Sequence, residues 1–210
     1  MIRILIADDH PIVLRGLKQI LSEEKDIAAI GEAHNSQQVL ELVKKEDWDM
    51  VVLDITMPGR GGMEILKELK KERPKLPVLV LSMHPEEQYG VRALKAGAAG
   101  YMTKENAPEN LINAIRRILS GGKYISPALA DILASDLQKE SPDPRHKSLS
   151  DREYQVMIMI ASGKSLREIA KELSLSVKTI STYRARILEK MGMKNNSQLI
   201  YYAIQNRLLE

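Results

Sequence analysis

The sequence predicts two unlike parts: a doubly wound α/β domain on a parallel five-stranded sheet, then a small all-α domain of four helices. Three observations predict this. Short β-branched runs alternate five times with amphipathic stretches of helical length through residue 125. After Ser148 the periodicity is helical only. Between the two, Gly121-Gly122, Pro127, Pro142 and Pro144 break the texture, and SPDPRHK reads as an exposed connector. The expected boundaries are 1–122 for the α/β domain, 123–147 for a linker able to form a short helix, and 148–210 for the helical domain. A chain of 210 residues fits one or two domains at about 150 residues each.

The strands are expected at Ile2–Ala7, Ile27–Ala33, Met50–Leu53, Val78–Leu81 and Gly100–Thr103. The third and fourth, MVVL and VLVL, are almost wholly apolar, as strands covered on both faces should be. The first helix starts at Pro11, a residue suited to a first turn, and carries Ile12, Val13, Leu17, Ile20 and Leu21. The last helix of this domain carries Leu111, Ile112, Ile115, Ile118 and Leu119. In the linker, ALADILASDL packs Leu129, Ile132 and Leu133 if it is helical. Beyond it, Ser150 with Glu153 and Ser165 with Glu168 are capping boxes that open successive helices. A third start falls at Ser176, and a fourth helix covers Ser197–Gln205.

Composition excludes several classes. With no Cys there is no disulfide scaffold, zinc–thiolate site or thiol nucleophile. No apolar run approaches membrane-spanning length, and MIRILIADDH lacks a signal-peptide layout, so a cytoplasmic, non-membrane protein is expected. The net charge of +3 is unevenly placed. Residues 1–125 carry 18 basic and 18 acidic residues, while residues 145–210 carry 12 and six. The basic tail fits an anionic partner such as nucleic acid; a solvated basic surface accounts for it equally.

Polar residues follow the strands: Asp8 and Asp9 the first, Asp54 the third, Ser82 the fourth and Lys104 the fifth. Ligands of open parallel sheets bind at these carboxyl ends. If the strand order is 2-1-3-4-5, the three carboxylates converge. They then repel unless a cation joins them, and Mg2+ suits oxygen ligands that leave room for a phosphate. A carboxylate facing such an ion can attack phosphorus and form an acyl phosphate. Lys104 and the metal could neutralise charge there, and the Ser82 hydroxyl could bond a phosphoryl oxygen. Each residue alone reads as an ordinary cap or turn former; the joint placement carries the reading. His10 and His84 fit capping or edge packing better than ligation. PGRGG lacks the lysine of a nucleotide loop and instead shapes the turn after Asp54.

In the tail, a helix over Ser165–Leu173 turns tightly through Ser174 and Leu175 into a helix over Ser176–Met191, the spacing of a helix-turn-helix. A helical wheel puts Ile180, Ile187, Leu188 and Met191 inside. Lys178, Ser181, Thr182, Ala185 and Arg186 lie on or beside the opposite face, small and basic as a groove-reading helix requires. Lys171, Thr179, Tyr183 and Lys190 could contact the DNA backbone. Arg184 falls toward the apolar face, and the wheel leaves its direction open.

DDHPIVLRGL, VVLDITMPGRGG, VLVLSMH and AGAAGYMTKE resemble the receiver domain of bacterial response regulators across residues 1–125. The resemblance implies a flavodoxin-like sheet of order 2-1-3-4-5. It implies phosphorylation of Asp54 by a sensor histidine kinase, with Mg2+ on Asp9, Asp54 and the Thr56 backbone carbonyl and Asp8 acting mainly through water. Ser82 and Tyr101 would be the switch pair, Tyr101 turning inward on phosphorylation, and Lys104 would contact the phosphoryl group. Ser82 stands where many relatives carry Thr. LSDREYQV, GKSLREIAKELSLSVKTISTYRARILEKMG and NNSQLIYYAI resemble the LuxR-type DNA-binding domain. Tyr183 stands where His is frequent. Together the two imply the NarL/FixJ class, and KTISTYRARILEKMG leans toward its GacA/UvrY-like branch.

That class implies a transcription factor whose phosphorylation controls homodimerisation and binding to double-stranded DNA. The last helix would supply a dimer contact through Leu199, Ile200 and Ala203, although packing inside the domain suits these residues equally. No separate enzymatic substrate is expected: Asp54-Ile55-Thr56 lacks the second acid that an aspartyl phosphohydrolase places two residues on. A DNA-binding or adaptor protein indifferent to phosphorylation is the other alternative.

Overall fold

The computed structural model describes residues 1–57, 60–138, 144–206 and 208–209, with the side chains of 136–138 excepted. Part of the PGRGG turn (58–59) and part of the SPDPRHK connector (141–143) lie outside the described residues. The chain forms two compact units, Met1–Asp136 and Leu137–Glu210.

The first unit alternates β1 (Ile2–Ala7), α1 (Pro11–Ser22), β2 (Ile27–Ala33), α2 (Ser36–Lys45), β3 (Met50–Asp54), α3 (Gly62–Glu72), β4 (Val78–Ser82), α4 (Glu86–Lys95), β5 (Gly100–Thr103) and α5 (Ala107–Leu119), and ends within the last turn of α6 (Pro127–Gln138). All strand pairs are parallel, in the order β2-β1-β3-β4-β5. Parallel neighbours need crossover helices, and these cover both faces. Side chains of a strand alternate between the faces. Ile4, Ile6, Met50, Val52, Leu79 and Leu81 pack with Leu14, Leu17 and Leu21 of α1 and Leu111, Ile115 and Ile118 of α5. The intervening residues Leu5, Val51, Leu53, Val78 and Val80 are also buried, as are Val39 and Val43 of α2 and Ile65, Leu66 and Leu69 of α3. Burial on both faces is why the central strands lack alternation in sequence.

In this order β1 and β3 are neighbours, with Ala7 opposite Leu53. Asp54 pairs with Leu81, and Ser82 with Thr103. The residues that follow four adjacent strands therefore share one edge of the sheet. Gly62 brings α3 close beneath that edge. A Cβ at residue 62 would lie 2.3 Å from Ile55 Cα and 2.7 Å from the Asp54 carbonyl oxygen, so only glycine fits.

The second unit contains α7 (Asp151–Ala161), α8 (Leu166–Glu172), α9 (Val177–Met191) and α10 (Asn196–Gln205). Both capping boxes form: Ser150 with Glu153 opens α7, and Ser165 with Glu168 opens α8. Ser176 caps α9 by accepting the Thr179 N–H, and Gly192 ends α9 in the left-handed conformation at φ 63°. Glu153 has a second task. Its carboxylate accepts the Ser150 N–H at 2.9 Å and the Lys190 ammonium at 2.7 Å, tying α7 to α9 while 4% exposed.

Burial raises the Glu153 carboxyl pKa, but the Lys190 ammonium and the Ser150 donors more than offset it and leave it below its ordinary 4.5. A depressed carboxyl stabilises the fold above its unfolded pKa, and that stabilisation disappears as pH falls through the folded value. Glu153→Gln should lower the stability of the second unit by roughly 1–2 kcal/mol at pH 7. The difference from wild type should shrink below the ordinary carboxyl range. Hydrogen exchange of α7 amides at pH 7 and in acid measures both, with fluorescence of Trp48 in the first unit as the unchanged control.

Candidate functional site

Asp54 ends β3, Asp8 and Asp9 follow β1, and Lys104 follows β5. The side chains of Asp8 and Asp54 are 1% and 0% exposed and that of Lys104 is 7% exposed. The Lys104 ammonium stands between the two carboxylates, 2.8 Å from Asp54 Oδ2 and 2.6 Å from Asp8 Oδ2. The Asp54 contact is a hydrogen bond, whereas Asp8 Oδ2 receives charge without hydrogen-bond alignment. Burial depresses the Lys104 pKa, yet Asp54 and Asp8 outweigh it and hold the ammonium above its ordinary range.

Carboxylate or imidazole atoms of Asp8, Asp9, His10 and Asp54 all lie within 4.8 Å of one another. Three carboxylates against one ammonium sum to −3 + 1 = −2, the charge a divalent cation would balance. Two oxygens support that reading: Asp8 Oδ2 and Asp9 Oδ1 are buried without hydrogen-bond partners. His10 occupies the N-cap position of α1, but its side chain makes no capping bond and turns to the acidic cluster instead. Its N–H donates to Asp8 Oδ1 at 2.9 Å, and its Nδ1 stands 3.1 Å from both Asp8 Oδ1 and Asp9 Oδ1.

Thr56 plays a part that the sequence analysis missed. Its N–H donates to Asp54 Oδ1 at 2.8 Å, and its hydroxyl reaches both carboxylate oxygens, at 2.6 and 2.8 Å. The signal was available, since an Asp readily accepts from the N–H two residues on. Ser82 and Tyr101 are both fully buried, and the backbone of His84 joins them. The His84 N–H donates to Ser82 Oγ at 3.0 Å, and the His84 carbonyl accepts the Tyr101 hydroxyl at 2.7 Å. Tyr101 is thus already inward. The ring is buried and its hydroxyl satisfied.

On α9, Lys178, Ser181, Thr182, Ala185 and Arg186 are exposed and Ile180, Ile187 and Met191 are buried, as the wheel requires. Lys171 is exposed; Thr179 and Tyr183 are half-buried. The chain turns from α8 into α9 through Ser174, which adopts a left-handed φ of 54°. Arg184 is half-buried and its Nε donates to Asn196 Oδ1 at 2.6 Å. The Lys190 ammonium is engaged by Glu153 within the domain. The dimer-contact expectation needs correction at two positions. Leu199 and Ala203 are 0% exposed in the domain's own core, Ile200 is half-buried, and Tyr201 and Ile204 are the exposed large apolar residues of α10.

An acidic pocket on a doubly wound sheet is joined in one chain to a basic helix-turn-helix, the make-up of a two-part regulator. Residues 4–116 match the family described as Response regulator receiver domain, and residues 147–203 match Bacterial regulatory proteins, luxR family. GacA of Pseudomonas aeruginosa is 36% identical over 211 residues, covering 100% of this chain and 99% of that protein. UvrY of Escherichia coli K12 is 34% identical over 209 residues, covering 99% and 96%. The structure of RcsB from Salmonella enterica serovar Typhimurium, bound to promoter rprA in the presence of the phosphomimetic BeF3-, superposes with a TM-score of 0.66 at 30% identity, covering 96% of this chain and 98% of that one. The chain belongs to the response regulators that carry a receiver domain and a luxR-family DNA-binding domain, in the NarL/FixJ class.

A raised ammonium stabilises the fold below its unfolded pKa, and that contribution is lost as pH rises through the folded value. Wild type should therefore lose a stabilising contribution above pH 10.5, the ordinary lysine value, that Lys104→Met lacks. At pH 7, Lys104→Met leaves two buried carboxylates without their ammonium and should cost roughly 3 kcal/mol. Urea unfolding followed by Trp48 fluorescence at both pH values checks this.

Proposed function

We propose that this chain is a phosphorylation-controlled transcription factor in which Asp54 accepts a phosphoryl group from a sensor histidine kinase. An Asp54 oxygen forms the new P–O bond as the P–N bond of the kinase's phosphohistidine breaks. The electron pair returns to the imidazole nitrogen, which takes up a proton. Lys104, already on Asp54 Oδ2, neutralises the incoming charge, and the Ser82 hydroxyl turns to a phosphoryl oxygen. The Thr56 hydroxyl gives up the oxygen that reacts. Asp9, Asp54 and the Thr56 carbonyl would hold Mg2+, and Asp8 would act through water. When bound, the ion supplies charge neutralisation for the transferring group. The observation that carries this reading is the excess negative charge around one buried ammonium, placed where four parallel strands end.

The receiver occupies 1–122, the linker 123–147 and the DNA-binding domain 148–210. The RcsB–DNA complex and the RcsB dimers on DNA support the partner and the assembly. Lys178, Ser181, Thr182, Ala185 and Arg186 face the major groove, while Lys171, Thr179 and Tyr183 contact phosphates. Lys190 is excepted because Glu153 holds it. A homodimer forms on phosphorylation or on DNA, using the exposed face of α10 around Tyr201 and Ile204. The chain works in the cytoplasm, where its DNA lies. Among the described residues no helix is long and apolar enough to cross a membrane.

Selection from random-sequence DNA with and without phosphodonor, with Mg2+ present or chelated, tests the reading. Wild type should bind a preferred sequence more tightly with phosphodonor and Mg2+, and Asp54→Asn should show no such gain. Equal binding under all conditions would refute control by phosphorylation. Affinity should fall as salt rises, and Arg186→Ala should weaken binding by about 1–3 kcal/mol with relaxed preference at one base position. Affinity measured on single-base variants of the selected site distinguishes this from a phosphate contact.

A further inference from the structure

The segment after α5 is pinned to one edge of the receiver by contacts that the proposed function does not use. Tyr124 continues the sheet: its N–H donates to the Ala99 carbonyl at 2.9 Å, and it forms a parallel bridge with Gly100 of β5. Two residues on, the Ser126 hydroxyl donates to Glu86 in the first turn of α4 and accepts the Leu129 N–H at 3.0 Å, capping α6. Leu129 is 0% exposed, although Pro127, Ala128, Ala130 and Asp131 around it are exposed. Its side chain fills a hollow that α4 leaves at Gly90. A Cβ at residue 90 would lie 2.6 Å from Leu129 Cδ1.

The same short helix carries the other end of a path. The Tyr89 ring, beside Gly90, lies 5.1 Å from the His84 ring. His84 is the residue whose N–H holds Ser82 Oγ and whose carbonyl holds the Tyr101 hydroxyl. Ser82, His84, α4 and Leu129 therefore form one unbroken series of contacts from the phosphoacceptor edge to the helix that leads into the linker.

We propose that the first turns of α6 are a latch on α4, seated by Leu129 in the Gly90 hollow and by Ser126 on Glu86, and that phosphorylation of Asp54 unseats it. The proposal rests on Asp54 being the phosphoacceptor. When the Ser82 hydroxyl turns to the phosphoryl group, its bond with the His84 N–H is strained. His84 cannot adjust alone, because its carbonyl is fixed to a buried tyrosine and its ring packs on α4. The displacement passes to α4 as a body. A packed side chain in a fitted hollow does not yield gradually; it is seated or it is not. Released, α6 frees the segment that tethers the DNA-binding domain and lets two such domains pair on DNA.

The experiment uses the full-length chain, Mg2+ and acetyl phosphate as phosphodonor. Two measurements are made: the ratio of DNA affinities with and without the donor, and hydrogen exchange over residues 126–134. Ser126→Asp keeps a residue that caps helices well but sets a carboxylate against Glu86. Leu129→Asp places a charge in the apolar hollow. In wild type the donor should speed exchange in α6. Both variants should show fast exchange without donor and DNA affinity raised to the donor-treated wild-type level, so that the ratio falls to roughly one. Asp54 should still be phosphorylated in both, as a phosphate-affinity gel reads. Glu86→Lys added to Ser126→Asp should restore slow exchange and the wild-type ratio. The latch is refuted if α6 exchange in wild type ignores the donor while Asp54 is phosphorylated, or if a variant with fast α6 exchange keeps the wild-type ratio. Failure of the underlying reading looks different: no phosphorylation at residue 54 in any variant.

Discussion

A single ammonium, that of Lys104, sits between two carboxylates that water scarcely reaches, and most of what this receiver can do depends on that arrangement. Two carboxylates so close together and so deeply buried at a sheet edge need a cation between them. Lys104 hydrogen-bonds one oxygen of Asp54, pairs in charge with Asp8 and leaves the pocket with a residual negative charge. Residual charge is what draws a divalent cation, and a cation is what lets an anionic phosphoryl donor approach an anionic acceptor. The sheet order supports all of it, because only β1 beside β3 brings residues 8 and 54 together.

The two sides of the pocket are held by different means. Gly62 lets the start of α3 approach the backbone of Asp54 and Ile55 more closely than any side chain would allow. Toward β4, Ser82, His84 and Tyr101 are linked by two hydrogen bonds that share one residue's backbone. Tyr101 is inside, and the short loop from Ser82 to Pro85 leads directly into α4. At Gly90, α4 in turn meets Leu129.

The helical domain solves a separate problem. A helix offered to an anionic groove carries positive charge that its own core must tolerate. In α9, Ile180, Ile187 and Met191 are buried and small or basic residues face out, while Leu188 is half-buried and Val177 in the first turn is exposed. Glu153 and Asn196 take up Lys190 and Arg184 at the margins, fixing how the helix is held rather than what it reads.

Much of this was legible in the amino-acid order, because it depends on local periodicity and chain neighbours. The purely apolar runs of β3 and β4 announced strands covered on both faces. The two S-x-x-E boxes announced the starts of α7 and α8. Polar residues just past four strands announced the acidic edge, and the wheel of α9 separated its two faces. What the order alone left open were relations set by three-dimensional packing between distant segments. Only the fold placed the Thr56 hydroxyl on Asp54, His84 between Ser82 and Tyr101, and Lys190 on Glu153. Only the fold buried Leu199 and Ala203 while leaving Tyr201 and Ile204 outside, since which side of α10 meets the core depends on α7. Periodicity says that a helix has an apolar side; neighbouring elements decide which of its residues water still reaches.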